Sequence, residues 1–204
     1  MMLKPYVIYS IKFILLMMTF GFSMYGTFYS YIEFGLGNIH YFTNQSNLLV
    51  FIVTLLMVFG WDKSNLFKKI ALIALLDIIL TGLVYNILLR DLVVGFSETK
   101  LFIMLVTHTF VPVLYTLLYL VYVLDKPPFK AIYLLLIHPG LYFIIFQITG
   151  LFTDYYPYPF LNPNQGVVSF LVTNFILLLP ALCLMGLGLI WLKQRLYTWF
   201  NLKA

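Results

Sequence analysis

The chain has 204 residues, of which 63% are hydrophobic and 9% charged, with a mean hydropathy of +0.99 and a formal net charge of +5. Soluble domains carry about 25% charged residues, so this composition excludes a water-facing globular surface and implies an integral membrane protein. The lone Cys183 excludes an intramolecular disulfide and reads as a small apolar packing residue.

A spanning helix needs roughly 20 mostly apolar residues, and six segments meet that measure. The first, Tyr6–Tyr29, is long, carries Lys12 and lacks a small-residue cleavage site, so it is expected as an uncleaved span and not a signal peptide. The second, Thr43–Gly60, opens on "FTNQSNLLV", which sets Thr43, Asn44, Gln45, Ser46 and Asn47 in succession. A helix N-cap employs one such residue, which leaves the others for other work. On a helix Thr43 and Asn47 share one face.

The third segment, Ile70–Leu89, holds Asp77 and Asn86, and the fourth, Leu101–Val123, holds His108 within "VTHTFVP". Pro112 follows His108 by four residues and cannot donate to its carbonyl. A kink and a carbonyl in need of another donor are expected there. The fifth, Ala131–Leu151, contains His138 and Gln147, and the sixth, Val167–Leu192, contains Asn174 and Cys183. Between them runs "GLFTDYYPYPFLNP", expected as a rigid, non-helical aromatic lid centred on Tyr158, Pro159 and Phe160. Asp154 in that loop is a candidate helix cap or a contact to the polar residues. Connections are short and no repeat divides them, so residues 1–204 are expected to form one all-α domain of six transmembrane helices.

The charges suggest an orientation. With the N-terminus cytoplasmic, Lys4, Lys12, Lys63, Lys68, Lys69, Lys126, Lys130, Lys193, Arg195 and Lys203 lie inside, and Arg90 and Lys100 outside. Basic residues accumulate on the cytoplasmic side of membrane proteins. Both termini are therefore expected in the cytoplasm, in a multi-pass protein of the cell membrane. The basic excess is a topology signal and points to no nucleic-acid partner.

Orientation converts residue number into depth at ~1.5 Å per residue. Thr43, Asn86, His108 and Gln147 then fall about 23–26 Å from the cytoplasmic end of their helices, with Asn47 and Asn174 slightly deeper. Asp77 and His138 form a second layer about 10–11 Å from that end. An ionisable group within a span needs a partner. Asp77 and His138 are expected to be that pair, a buried structural lock between helices three and five.

The outer layer suits acyl transfer. A threonine hydroxyl attacks only when a base takes its proton, and His108 at hydrogen-bond distance from Thr43 is the candidate base. Asn86 is a candidate to orient the imidazole, and the amides of Asn44, Gln45 and Asn47 are candidate oxyanion donors. No serine elbow, phosphate loop or metal-protease motif is present, and the histidines and carboxylates have no chelating spacing, so neither metal nor cofactor is expected.

"FTNQSNLL", "THTFVPVLY" and "HPGLYF…GLF…YPYPFLN" resemble bacterial relatives of the androgen-induced six-helix membrane threonine hydrolases. The resemblance implies hydrolysis of esters between fatty acids and hydroxy fatty acids. It places the nucleophile at Thr43, the catalytic histidine at His108 and the Tyr-Pro-Phe-Leu element at Tyr158, Pro159, Phe160 and Leu161. The chain differs from the eukaryotic members in the Asn-Gln-Ser-Asn that follows Thr43 and in Asn162. The leading expectation is an intramembrane lipid-ester hydrolase that opens toward the outer leaflet, with an amphipathic ester and membrane lipids as its partners. A non-catalytic lipid-binding or interaction protein is the alternative, and a small transporter the third. The sequence leaves the oligomeric state open.

Overall fold

The computed structural model describes residues 5–92, 94–123 and 125–201. Lys4 and Lys203 of the charge pattern lie outside the described residues. The described chain is all-α, without a strand, and is a bundle of apolar helices of membrane-spanning character. The helices are α1 (Pro5–Phe34), α2 (Phe42–Val58), α3 (Asn65–Leu89), α4 (Glu98–Tyr122), α5 (Ile132–Thr153) and α6 (Val167–Trp199). Five are long and apolar enough to cross a membrane, and α2, with 17 residues, is the shorter sixth.

Helix ends follow local chemistry. Ser64 and Ser97 cap α3 and α4, their hydroxyls accepting from the amides of Phe67 (3.0 Å) and Lys100 (3.4 Å). Helix α2 stops two residues before the expected Gly60. Gly60 takes φ +71°, the Gly60 amide donates to the Met57 carbonyl (3.1 Å) and the Trp61 amide to the Leu56 carbonyl (2.8 Å). That is a Schellman ending, which a glycine makes without steric cost. Asp154, the expected cap, ends α5 in the left-handed region at φ 54°.

The chain, expected as one domain, divides into two compact units, Met1–Leu124 and Asp125–Ala204. In the first, α1 and α3 each pack against both α2 and α4. Its core is apolar side chains with no exposure, among them Val50, Val53, Leu75, Leu76, Ile78 and Leu118. Buried Tyr115 satisfies its hydroxyl by donating to the Ala71 carbonyl (2.9 Å). In the second unit α5 packs against α6.

Three helices widen into π-helical turns: α3 over Tyr85–Leu89, α4 over Val106–Phe110 and α6 over Val172–Leu178. Such turns add a residue to the local repeat and often accompany functional sites. In α4 the turn ends just before Pro112, where the missing amide interrupts regular bonding.

Candidate functional site

The π turns of α3 and α4 and the first turn of α2 come together in the first unit. Thr43, partly exposed, presents Oγ1 3.3 Å from Nε2 of His108, which is 6% exposed. This is the expected proximity, across 65 residues of chain. The other ring nitrogen, Nδ1, lies 2.9 Å from the Met104 carbonyl and 2.9 Å from the Thr107 hydroxyl. A carbonyl oxygen only accepts, so Nδ1 carries the proton and Nε2 is left as an acceptor aimed at Thr43. Thr107 gives its own hydrogen to the Ile103 carbonyl (2.9 Å), and its oxygen is thereby free to share Nδ1–H.

One face of the imidazole is covered by the Tyr85 ring, with centroids 3.9 Å apart and planes 30° apart. Two glycines allow the close packing around it. A Cβ on Gly26 of α1 would meet the Thr107 methyl at 2.9 Å, and one on Gly82 of α3 would stand 3.1 Å from both the His108 carbonyl and Pro112 Cβ.

Asn86 was expected beside the imidazole. It instead reaches the histidine's main chain, donating to the carbonyls of His108 (3.1 Å) and Gly82 (2.8 Å). The reason is Pro112. The carbonyl it deprives of a helical donor must be satisfied, and in an apolar medium a side-chain amide on the next helix does so. Asn47, fully buried, spans the other way, donating to the carbonyls of Thr43 (2.8 Å) and Thr107 (3.1 Å). It thus ties the main chains of both members of the pair, while its Oδ1 has no hydrogen-bond partner among the described residues.

The remaining polar residues of α2 hold the preceding 3-10 turn, Leu36–His40, over the helix start. Asn44 donates to the Asn38 carbonyl (2.8 Å) and accepts from Ser30 (2.8 Å), which in turn accepts from the Asn38 amide (2.8 Å). Gln45 donates to the Ile39 carbonyl (2.8 Å), and Ser46 to the Phe42 carbonyl (2.8 Å). The N-cap position itself is Tyr41, with no side-chain capping bond. The polar run is therefore a clamp. The three amides expected as oxyanion donors each give at least one hydrogen to a carbonyl of the fold.

The other expected residues divide between the two units. Asp77 is fully buried in α3 of the first unit, and His138 is half-buried in α5 of the second, just before Pro139. Tyr158, Pro159 and Phe160 are in the second unit. There Pro159–Leu161 and Pro163–Gln165 form short 3-10 turns in a loop expected to have no helix, because proline's fixed φ suits the first position of such a turn. Tyr158 stacks on Phe160 with centroids 5.2 Å apart. Gln147 and Asn174 brace this loop by donating to the carbonyls of Leu161 (2.8 Å) and Phe160 (2.7 Å).

Sequence reasoning missed Met104, Thr107, Tyr85 and the two glycines. Met104 carried a signal, since its carbonyl sits one helical turn before His108 and is a natural partner for Nδ1. Comparison with known proteins finds no matching family model, no matching curated protein and no matching solved structure.

Proposed function

We propose that this protein is an intramembrane hydrolase of lipid esters, with Thr43 as nucleophile and His108 as general base. One observation carries the reading: Met104 and Thr107 hold His108 as the tautomer whose Nε2 lone pair lies 3.3 Å from the Thr43 hydroxyl. A base held in the right tautomer by a second partner is the common logic of hydroxyl nucleophiles.

In this mechanism Thr43 Oγ1 attacks the ester carbonyl carbon as its proton passes to Nε2. The alcohol leaves with that proton when the carbon–oxygen bond breaks, giving an acyl-threonine and neutral His108. Water then attacks the acyl carbon, Nε2 takes its proton, and collapse releases the fatty acid and returns the proton to Thr43. Thr43 is the second residue of α2, so the positive end of that helix lies at the carbonyl oxygen where negative charge develops. The apolar bundle favours a long-chain, amphipathic ester.

The decisive experiment is labelling with an alkyl fluorophosphonate followed by peptide mass spectrometry. A covalent adduct on Thr43, lost in Thr43→Ala and His108→Ala, supports the hydrolase. A folded protein that retains lipid but never forms the adduct supports the second reading, a non-catalytic lipid-binding protein. That reading is favoured by the engagement of the Asn44, Gln45 and Asn47 amides with main-chain carbonyls.

The basic-residue distribution supports placement in the cell membrane with both termini cytoplasmic and Thr43 toward the outer leaflet. In a Cys183→Ala background, Gly37→Cys should react with an impermeant maleimide on intact cells and Lys63→Cys only after permeabilisation. The reverse pattern would overturn this orientation.

A further inference from the structure

At the end of the first unit opposite Thr43, the starts of α1 and α3 and the end of α4 line an open cavity of about 620 Å³. Its floor is apolar, with Leu16 and Phe67 buried and Phe13 exposed at the rim. Three lysines line it: Lys12, Lys63 and Lys68. None of the three makes an ion pair among the described residues. The one acid in the lining is Asp62, and Lys12 Nζ lies 6.0 Å from the centre of the Tyr122 ring, which also lines it.

Lys12 makes this more than a basic rim. It falls inside the apolar stretch Tyr9–Phe34 and is only partly exposed. A cation within a span is costly unless a partner or a wet cavity receives it. Here it faces the cavity together with two further cations and one acid, a local excess of positive charge above an apolar floor. The volume is within the ~300–1,000 Å³ of small-ligand sites. A free inorganic anion would gain nothing from Leu16, Phe67 and Phe13, whereas an amphipathic anion uses both halves of the lining.

We propose that this cavity binds the headgroup of an anionic phospholipid, its phosphate held by Lys12, Lys63 and Lys68 and its glycerol and upper acyl carbons lying over Phe13 and Leu16. Basic pockets at helix ends recognise lipid phosphates in this way. The site lies at the end that the basic residues of the sequence mark as cytoplasmic, where anionic lipid is concentrated. It is separate from the Thr43–His108 pair and does not depend on the hydrolase reading.

The test uses the full-length protein, delipidated in neutral detergent. Bound lipid is read by native mass spectrometry during titration with phosphatidylglycerol, with phosphatidylcholine of the same acyl chains, and with inorganic phosphate. One phosphatidylglycerol per chain should be retained in preference to phosphatidylcholine. Each of Lys12→Gln, Lys63→Gln and Lys68→Gln should weaken retention about fivefold, the ratio given by about 1 kcal/mol per basic residue. Lys100→Gln, at the other end of the first unit, should leave it unchanged.

Equal retention of phosphatidylcholine, or unchanged retention of phosphatidylglycerol in the Lys12→Gln/Lys68→Gln variant, overturns the proposal. Binding of inorganic phosphate without retention of lipid assigns the cavity to a free anion and overturns it too. If the double variant fails to fold, salt decides with the unaltered protein. Retention should fall steeply as ionic strength rises to about 0.5 M, where exposed charges are screened, and retention insensitive to salt overturns the proposal.

Discussion

Each unit carries a pair of side-chain amides, one of each pair buried (Asn47 and Asn174), and the two pairs do different work with the same chemistry. In the first, Asn47 and Asn86 donate to the carbonyls of Thr43, Thr107 and His108. In the second, Gln147 and Asn174 donate to the carbonyls of Leu161 and Phe160 in the proline-rich loop. At His108, where Pro112 offers no amide, and in the proline-rich loop, carbonyls lack a helical donor and a side-chain amide supplies the hydrogen. Only the first pair surrounds an imidazole and a hydroxyl. The comparison teaches that a polar residue within an apolar helix first answers a backbone requirement, and chemistry is possible where a titratable group lies inside the same network.

The largest expected contrast between the pairs is in turnover. On the hydrolase reading, Thr43→Ala and His108→Ala should each lower hydrolysis of a long-chain nitrophenyl ester by at least about a thousandfold, and the double variant should be no worse than either single. Thr43→Ser should retain part of the rate, since it keeps the hydroxyl. Loss of rate in Asn174→Ala as severe as in His108→Ala would erase the distinction between the two units.

Asn47→Leu comes next. It removes two hydrogen bonds to main-chain carbonyls at once, each contributing about 0.5–1.5 kcal/mol. Thermal unfolding in detergent should move well below that of the parent protein. Any hydrolysis should fall roughly ten- to a hundredfold, because a misplaced nucleophile is sensitive to shifts of about 1 Å. Stability lost with rate intact would show that Asn47 holds the fold without positioning Thr43.

Gly26→Ala is a gentler perturbation of the same network. The new methyl would meet Thr107 Cγ2 at 2.9 Å, so Thr107 must shift and loosen its contact with Nδ1. Overpacking of this kind costs about 1–3 kcal/mol, offset in part by alanine's better helix propensity of up to about 1 kcal/mol. Gly21→Ala in the same helix, with no atom within 4 Å of its Cβ, should be neutral or slightly stabilising. Equal melting temperatures for the two variants would show that the contact at Gly26 is not tight.

The smallest effects are expected at Asn86 and Asn174. Asn86→Ala removes the donor to the Pro112-freed carbonyl and should lower the rate less than Asn47→Leu, since it touches the histidine through its main chain. Asn174→Ala should cost about 1 kcal/mol of stability through the loop and leave hydrolysis unchanged.

The proximity of Thr43 and His108 was legible from three signals taken together: a common depth from charge bias and helix rise, the kink expected at Pro112, and the family resemblance. The partners of His108 were not. Depth matched Asn86 to the imidazole, but a depth argument cannot distinguish a ring nitrogen from the carbonyl of the same residue. Nor does the sequence announce that α3 and α4 pass through π turns at Tyr85–Leu89 and Val106–Phe110. Each turn changes the phase of the side chains around it, bringing Tyr85 onto the imidazole face.

The same division runs through the whole molecule. Composition and run length by themselves determined that this is a bundle of apolar helices, because transfer into an apolar medium sums over residues wherever they lie in the chain. Capping by Ser64 and Ser97 and the stop at Gly60 were equally local. Only the tertiary structure decided which amide serves which carbonyl, which ring covers His108 and where lysines share a cavity. Hydrogen bonds are pairwise and directional, so their partners are fixed only when distant helices are brought to within about 3 Å of one another.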